Sequence, residues 1–362
     1  MRLCGLLILA AIVPCGPARA ATIVVPDSVS TIAAALAAAV AADTVLVRSG
    51  TYPENVVMVD GVILRGENPA DRPVLDGGAT GIALTASGCG ASTRIEDFVI
   101  TNGLGTGLGG GAHVFQSSLV FQRCRFVQNA AALGGAIGSD ESAFLAVDCE
   151  FEANVATQSG GAISMTDLPG PTLESCLFLG NDAQVGGAVA VRNGCTPLIR
   201  TCLFEGNLAE HGAGLWFDLL TGGEVTECTF VRQEATMAGG GALYFNALAI
   251  PLIDRTVVAL GVAGGAMFVA VGADPIVGCS DFFGNVGGES LAGAVDLGTN
   301  LFADPLFCDP ALSDWSIRSD SPCADDGACG RRGAFDVACV PTAIGAELET
   351  STWARVKAGW RR

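Results

Sequence analysis

Lysine occurs once in this 362-residue chain, at Lys357, and histidine twice, at His113 and His211. No serine or cysteine motif accompanies either histidine, so a nucleophile–histidine–acid triad has no support. Only 15% of residues are charged and half are hydrophobic, which excludes a disordered chain. With 49 glycines the sequence is also too glycine-rich for a helical bundle. The formal net charge is −18, and so acidic a surface repels nucleic acid and anionic membranes. Cysteines stand too far apart for the Cys-x₂₋₄-Cys spacing of a zinc site.

What the chain does have begins with an export signal. Arg2 gives a positive start, Leu6 to Val13 an apolar core, and Ala18-Arg19-Ala20 a small-x-small cleavage site. Pro14 and Pro17 break the run, and it is too short to span a bilayer. Residues 1–20 are therefore expected to be removed, leaving a secreted or cell-surface protein with no membrane span. Loss of Arg2 and Arg19, with no acid, takes the net charge from −18 to −20. Of 14 cysteines, Cys4 and Cys15 leave with the signal, and the remaining 12 face an oxidising compartment. Cys308, Cys323, Cys329 and Cys339 crowd the end, where three pairings are open.

The organising feature is a repeat. Gly134-Gly135-Ala136-Ile137, Gly160-Gly161-Ala162-Ile163 and Gly186-Gly187-Ala188-Val189 follow one another at 26 residues. Each line runs on to Cys149, Cys176 or Cys202, then to Phe151, Phe178 or Phe204, then to Asn154, Asn181 or Asn207. Looser copies extend from Gly109 to about Gly288. A fixed period of this length marks stacked coils, each unable to bury its apolar face alone. Period-two alternation after Gly-Gly-Ala places Ile137, Ile163, Val189, Leu215, Leu243 and Met267 inward. Stacking then builds cysteine, phenylalanine and asparagine columns at about 4.8 Å spacing, and roughly ten coils make a rod on the order of 50 Å. His113 falls on the inward column and Val114 on the outward one.

Asp43-Thr44-Val45-Leu46-Val47, Gly50-Thr51-Tyr52-Pro53-Glu54-Asn55-Val56 and Gly61-Val62-Ile63-Leu64-Arg65-Gly66 resemble the opening of right-handed parallel β-helix proteins. That superfamily includes pectate lyases and pectin methylesterases. The Gly-Gly-Ala … Phe-x-x-Asn lines are similar to repeats of polymorphic outer-membrane proteins, although no barrel-like alternation follows them. The resemblance implies an all-β solenoid over residues 21–340, its first coil capped by the alanine-rich helix within 22–42. Residues 301–340 are expected to form a cysteine-bearing cap at the far end, which would otherwise expose an unpaired edge. Residues 341–362 read as a linker and a basic tail, with Trp353, Val356 and Trp360 on one side. Export, surface attachment or a frayed end are the readings open to it.

No catalytic pattern of the superfamily carries over. The single lysine lies outside the coils, the coil arginines have no obvious acidic cluster beside them, and no paired-aspartate motif appears. Asp140, Glu141, Asp148, Glu174 and Asp218 are acids from which a glycosidase pair could arise across coils. One constellation remains. Counting outward gives Val114, Gly138, Ser164, Ala190, Trp216, Tyr244 and Phe268, so three aromatics follow three small residues. Arg192, Asp218 and Asn246 flank them. Aromatic faces with hydrogen-bonding neighbours suit sugar rings. The expected function is binding of an extracellular glycan or surface protein, adhesin-like, by a monomer without a cofactor. A polysaccharide lyase or glycoside hydrolase is the alternative, and a structural rod the second. The acids of 304–326 offer calcium ligands, but capping turns explain them better.

Overall fold

The computed structural model describes residues 20–237, 240–325 and 327–340. The expected signal segment up to residue 19 and the tail 341–362 lie outside the described residues. One coil shows the plan. Gly134-Gly135-Ala136 opens it, and strands Ile137–Asp140, Leu145–Val147, Glu150–Glu152 and Val155–Ser159 follow in turn. Each strand pairs in parallel with its counterpart one coil on, as Ile137 does with Ile163 and Phe151 with Phe178. The four strand positions build sheets of nine, twelve, ten and five strands, here called the first to fourth sheets in the order a coil meets them. The chain is thus a right-handed parallel β-helix of about ten turns.

Glycine is required where a coil opens. Gly134, Gly160, Gly186 and Gly212 hold φ between 61° and 66°, and a Cβ on Gly134 would collide with the Ile137 carbonyl. The corner between the second and third sheets is left-handed too, yet it is built from Arg123, Asp148, Ser175 and Thr201, with φ of 52° to 55°. Such a conformation costs about 1–2 kcal/mol per residue outside glycine. The stack offsets it, because each corner N–H finds the next coil: Arg123 donates to Val147 O at 3.0 Å and Asp148 to Glu174 O at 3.1 Å.

Inside, like lies over like. Phe126, Phe151, Phe178, Phe204 and Phe230 stack with ring centroids 5.2, 4.8, 4.6 and 4.3 Å apart. Asn129, Asn154, Asn181 and Asn207 form a buried ladder. Asn154 Nδ2 donates to Asn181 Oδ1 at 3.0 Å and to Phe126 O at 2.9 Å, and Gln233 ends the run. Cys124, Cys149, Cys176, Cys202 and Cys228 are buried free thiols in single file, and burial pushes the first four far above the ordinary thiol range. Each points at a carbonyl of the preceding coil, as Cys124 Sγ does at Ile95 O, 3.4 Å away. They pack as small apolar groups.

Three features differ from the sequence reading. First, a fourth strand follows the asparagine. It is marked by Ala131, Ala156, Ala183, Ala209 and Ala235, all buried, one two residues after each Asn or Gln. Small side chains let this strand turn back closely onto the next coil. Second, His113 pairs with Gly138 and Val114 with Ser139, so His113 faces out and Val114, fully buried, faces in. The cause is an extra glycine: Gly109-Gly110, not Gly110-Gly111, match Gly134-Gly135, and the line slips by one residue.

The third difference is largest. Residues 303–340 do not close the end of the helix. Phe307, Trp315, Ile317, Ala334 and Phe335 instead lie along the outer face of the third sheet, against Leu177, Leu203, Val231 and Val257. This strap carries its own sheet, with Phe307–Asp309 antiparallel to Asp314–Arg318 and Val337–Cys339 parallel to the latter. Arg232 fastens it by donating to Pro310 O at 2.5 Å and by stacking 4.8 Å over Trp315. Ala334 N donates to Thr229 Oγ1 at 2.9 Å. Disulfides Cys308–Cys339 and Cys279–Cys329 complete the attachment. The second reaches outside the terminal group of cysteines, because the strap lies back across the coil that carries Cys279. Cys323 stays a buried thiol 3.1 Å from Asp281 Oδ2. What draws the strap there is the outward apolar stripe on the third sheet, which it buries. Leu291 and Ala294 of the last coil plug the core instead. At the other end helix Ile32–Ala38, N-capped by Thr31, buries Ile32, Ala35 and Leu36 against strands Thr22–Val25, Thr44–Val47 and Val56–Val57.

Candidate functional site

The outer face of the first sheet carries the residues that sequence singled out. Trp216 pairs with Tyr244 and Tyr244 with Phe268, so the three aromatics occupy one outward column on consecutive coils. Tyr244 and Phe268 stack at 4.9 Å with planes 20° apart. Trp216 and Tyr244 are half-buried, and Phe268 is 36% exposed. Burial pushes the Tyr244 phenol up. Before them the same column holds Gly138, Ser164 and Ala190, all fully buried. They are small because the end of the fourth sheet turns tightly over them. The bulky residues begin where that cover ends.

Sequence missed one neighbour. His211, at the end of strand Leu208–His211, brings its ring 5.1 Å from Tyr244, tilted by 46°. The fourth strand, unrecognised beforehand, is what delivers it. Beyond Phe268 the face opens into a groove of about 770 Å³. Its walls are Ala235, Met237, Gly264, Met267, Val269 and Gly288, with Thr236 and Ser290 as the polar side chains.

The next outward column brings Asp218 and Asn246 together, Asn246 Nδ2 donating to Asp218 Oδ1 at 3.1 Å. Arg192 does not join them. Its Nη1 lies 3.5 Å from Ser159 Oγ, and its buried Nε has no partner among the described residues. Further back on the same face are Asp140, Asp167 and His113. Burial pushes the Asp140 carboxyl up, and the Asp167 carboxylate adds to it by repulsion and by sharing a hydrogen bond. Burial pushes the His113 imidazole down against the pull of Asp140. Asp140 was among the acids picked out by type. Asp167 and His113 were not placed here, although counting the column in the right register reaches both.

Several acids elsewhere have structural partners. Arg123 clasps Asp97 at 2.7 and 2.8 Å, Arg125 pairs with Glu150 and Glu152, and Arg255 with Glu227 and Asp254. Arg123, Arg125 and Arg255 thus have acidic neighbours, but as ion pairs within the stack and not as an acidic cluster. In the acid-rich segment, Asp304, Asp309 and Asp325 accept backbone N–H groups of their own turns, and Asp320 pairs with Arg318. No group of three or more potential metal ligands occurs among the described residues. Nor is any helix among them long and apolar enough to cross a membrane.

A family model agrees with the architecture. Residues 80–258 match the family described as right handed beta helix region. The crystal structure of pectate lyase Pel9A is similar over 84% of this chain and 90% of that one, at 11% identity and a TM-score of 0.45. No curated protein sequence matches. The family match concerns the fold, and what the outer face of the first sheet does must be argued from its own residues.

Proposed function

We propose that this is an exported carbohydrate-binding protein of adhesin-like character, which lays a glycan along the outer face of the first sheet. One observation carries the reading. Two apolar stripes face outward on these coils. The strap buries the stripe on the third sheet, whereas Trp216, Tyr244 and Phe268 stay partly exposed. A stripe that the fold itself does not need to bury is available to a ligand. Half-buried aromatic rings with polar neighbours offer a sugar both an apolar face and hydrogen-bond partners, here Asp218 and Asn246. An acidic protein of net charge −18 favours neutral glycans over polyanionic ones. The test is binding on a glycan array with Trp216→Ala and Tyr244→Ala beside the unaltered chain. Loss of signal in both supports the site, and retained binding removes it.

A second reading, a glycoside hydrolase or lyase, has a specific observation in its favour. Asp140 and Asp167 place two carboxyls on the same face as the aromatic stripe, and burial together with repulsion from Asp167 pushes the Asp140 carboxyl up. A carboxyl with a raised proton affinity beside a second carboxyl is an arrangement that acid–base catalysis uses. The rung spacing of about 4.8 Å puts Asp140 three coils and Asp167 two coils from Trp216, roughly 10 to 14 Å away, within reach of one oligosaccharide. Reducing-end release from a polysaccharide panel that vanishes in Asp140→Asn and Asp167→Asn would establish it. Release unchanged in both variants, or none from any polysaccharide, removes it.

A further inference from the structure

Between the first and second sheets the corner is made by tight turns, at 192–195, 218–221, 246–249 and 270–273 on successive coils. Cys195 N donates to Arg192 O at 3.1 Å, Ala249 N to Asn246 O at 3.1 Å and Ala273 N to Ala270 O at 3.0 Å. In the other turn the Thr221 hydroxyl donates to Asp218 O at 2.6 Å. The third residue of each turn is left-handed: Gly194, Leu220, Leu248 and Gly272, with φ of 77°, 62°, 63° and 88°. Glycine takes that conformation freely, and a bulky side chain resists it. Leu220 and Leu248 are 63% and 50% exposed, so packing does little to offset the strain. Left-handed Leu260, by contrast, is partly buried against the strap. Two consecutive coils thus hold an aliphatic side chain out to solvent where the coils on either side have glycine.

Their neighbours extend the pair into a ridge, Leu219, Ile250 and Val271 being 46%, 60% and 98% exposed. The ridge occupies the same three coils as Trp216, Tyr244 and Phe268. The coil before them has Ala190 in the aromatic column and Asn193-Gly194 at its tip. Strain kept at an exposed position points to work done outside the fold. We infer that this ridge enters the surface of a zwitterionic lipid bilayer, with the aromatic column lying at the level of the headgroups. Shape favours a lipid surface, since the tips project in a line at the rung spacing of about 4.8 Å, which suits a flat apolar medium better than a pocket. Charge selects the kind of lipid. Residues 218–223, 246–251 and 270–275 contain no lysine, arginine or histidine, and their charges are Asp218 and Asp274. Anionic bilayers recruit basic residues, so nothing on the ridge calls for one. Half-buried Trp216 and Tyr244 beside aliphatic tips also match the aromatic belts found where protein meets the membrane interface. The inference is independent of glycan binding, which is read on soluble sugars.

Flotation with phosphatidylcholine vesicles tests this. The unaltered chain should float with them, and less with vesicles containing phosphatidylglycerol at low salt, which its acidic surface opposes. Leu220→Asn with Leu248→Asn should lower the association about 10-fold or more, since two leucines no longer leave water. Asparagine tolerates the left-handed conformation, so the same variant should unfold at no lower temperature than the unaltered chain. Leu312→Asn, at a 79% exposed site on the strap, should leave flotation unchanged. No flotation of the unaltered chain with phosphatidylcholine overturns the proposal, and so does equal flotation of the doubly altered chain. A lower unfolding temperature in that variant overturns it too, by showing that the leucines serve the fold. Self-association without flotation, abolished by the same two substitutions, overturns it by assigning the ridge to a second copy.

Discussion

The first and third sheets belong to the same coils and share one construction, yet their outer faces have different fates. On the third, Leu177, Leu203, Val231 and Val257 stand outward in a row and are buried to within 4% exposure by the strap. On the first, the outward aromatics remain partly open. The third-sheet stripe is aliphatic and featureless, suited to any apolar cover. The first-sheet stripe is aromatic and edged by Asp218 and Asn246, polar groups that a purely apolar cover would desolvate. Covering one face within the chain while leaving the other with polar company separates stability from recognition on a single scaffold.

If that separation holds, the faces respond oppositely to loss of their central tryptophans. Trp315→Ala removes a fully buried ring and the stacking of Arg232, and should lower unfolding free energy by about 3–5 kcal/mol. Trp216→Ala, on the open face, should cost no more than about 1 kcal/mol. Denaturant unfolding of the two variants side by side measures the contrast, and equal losses would contradict it. The strap also depends on its covalent closure. Cys308–Cys339 spans 31 residues, for which chain entropy gives a contribution of about 3–4 kcal/mol. Cys308→Ser with Cys339→Ser should therefore loosen the strap and expose the third-sheet stripe to an apolar dye, while the phenylalanine stack of the coils stays folded.

Much of this contrast was written in the chain. The cysteine, phenylalanine and asparagine files follow directly from the 26-residue lines, because a parallel stack with a constant period leaves each position only one place to go. The aromatic column was legible for the same reason. Where the period changed, inference failed: one extra glycine before Ala112 inverted His113 and Val114, and hid the approach of His113 to Asp140. The fourth strand was missed although an alanine recurs two residues after Asn129, Asn154, Asn181 and Asn207, since short runs such as Asp182–Val185 and Leu208–His211 mix acidic, small and apolar residues and carry little β-signal. The strap lay beyond any repeat. Its docking depends on contacts with residues about 80 to 110 positions earlier, such as Ser313 with Arg232 and Ala334 with Thr229, and no local pattern encodes those.

On the open face the expected effect lies in affinity. Trp216→Ala should weaken glycan binding about 10-fold or more, corresponding to about 1.4 kcal/mol, by isothermal titration with a glycan chosen from the array. Tyr244→Phe keeps the ring and should lose less than Tyr244→Ala. Should all three bind equally, the aromatic column is packing alone, and the two faces differ only in what happens to cover them.

The smallest effect tests whether the same face also holds a proton. The Asp140 carboxyl is raised in the folded state, first by burial and then by Asp167. A raised carboxyl favours folding while it is protonated. Its contribution is therefore fully present below the ordinary aspartate range and is lost as the pH climbs through the higher folded value. Asp140→Asn cannot ionise, so its stability should decline less than that of the unaltered chain over this window. Because Asp140 is partly exposed, solvent screening keeps the difference small. Thermal unfolding across the acidic range compares the slopes, and Asp254→Asn, at an ion pair with Arg255, serves as the control. Parallel curves for Asp140→Asn and the unaltered chain would show that the pair carries no shared proton, leaving recognition as the only work of this face.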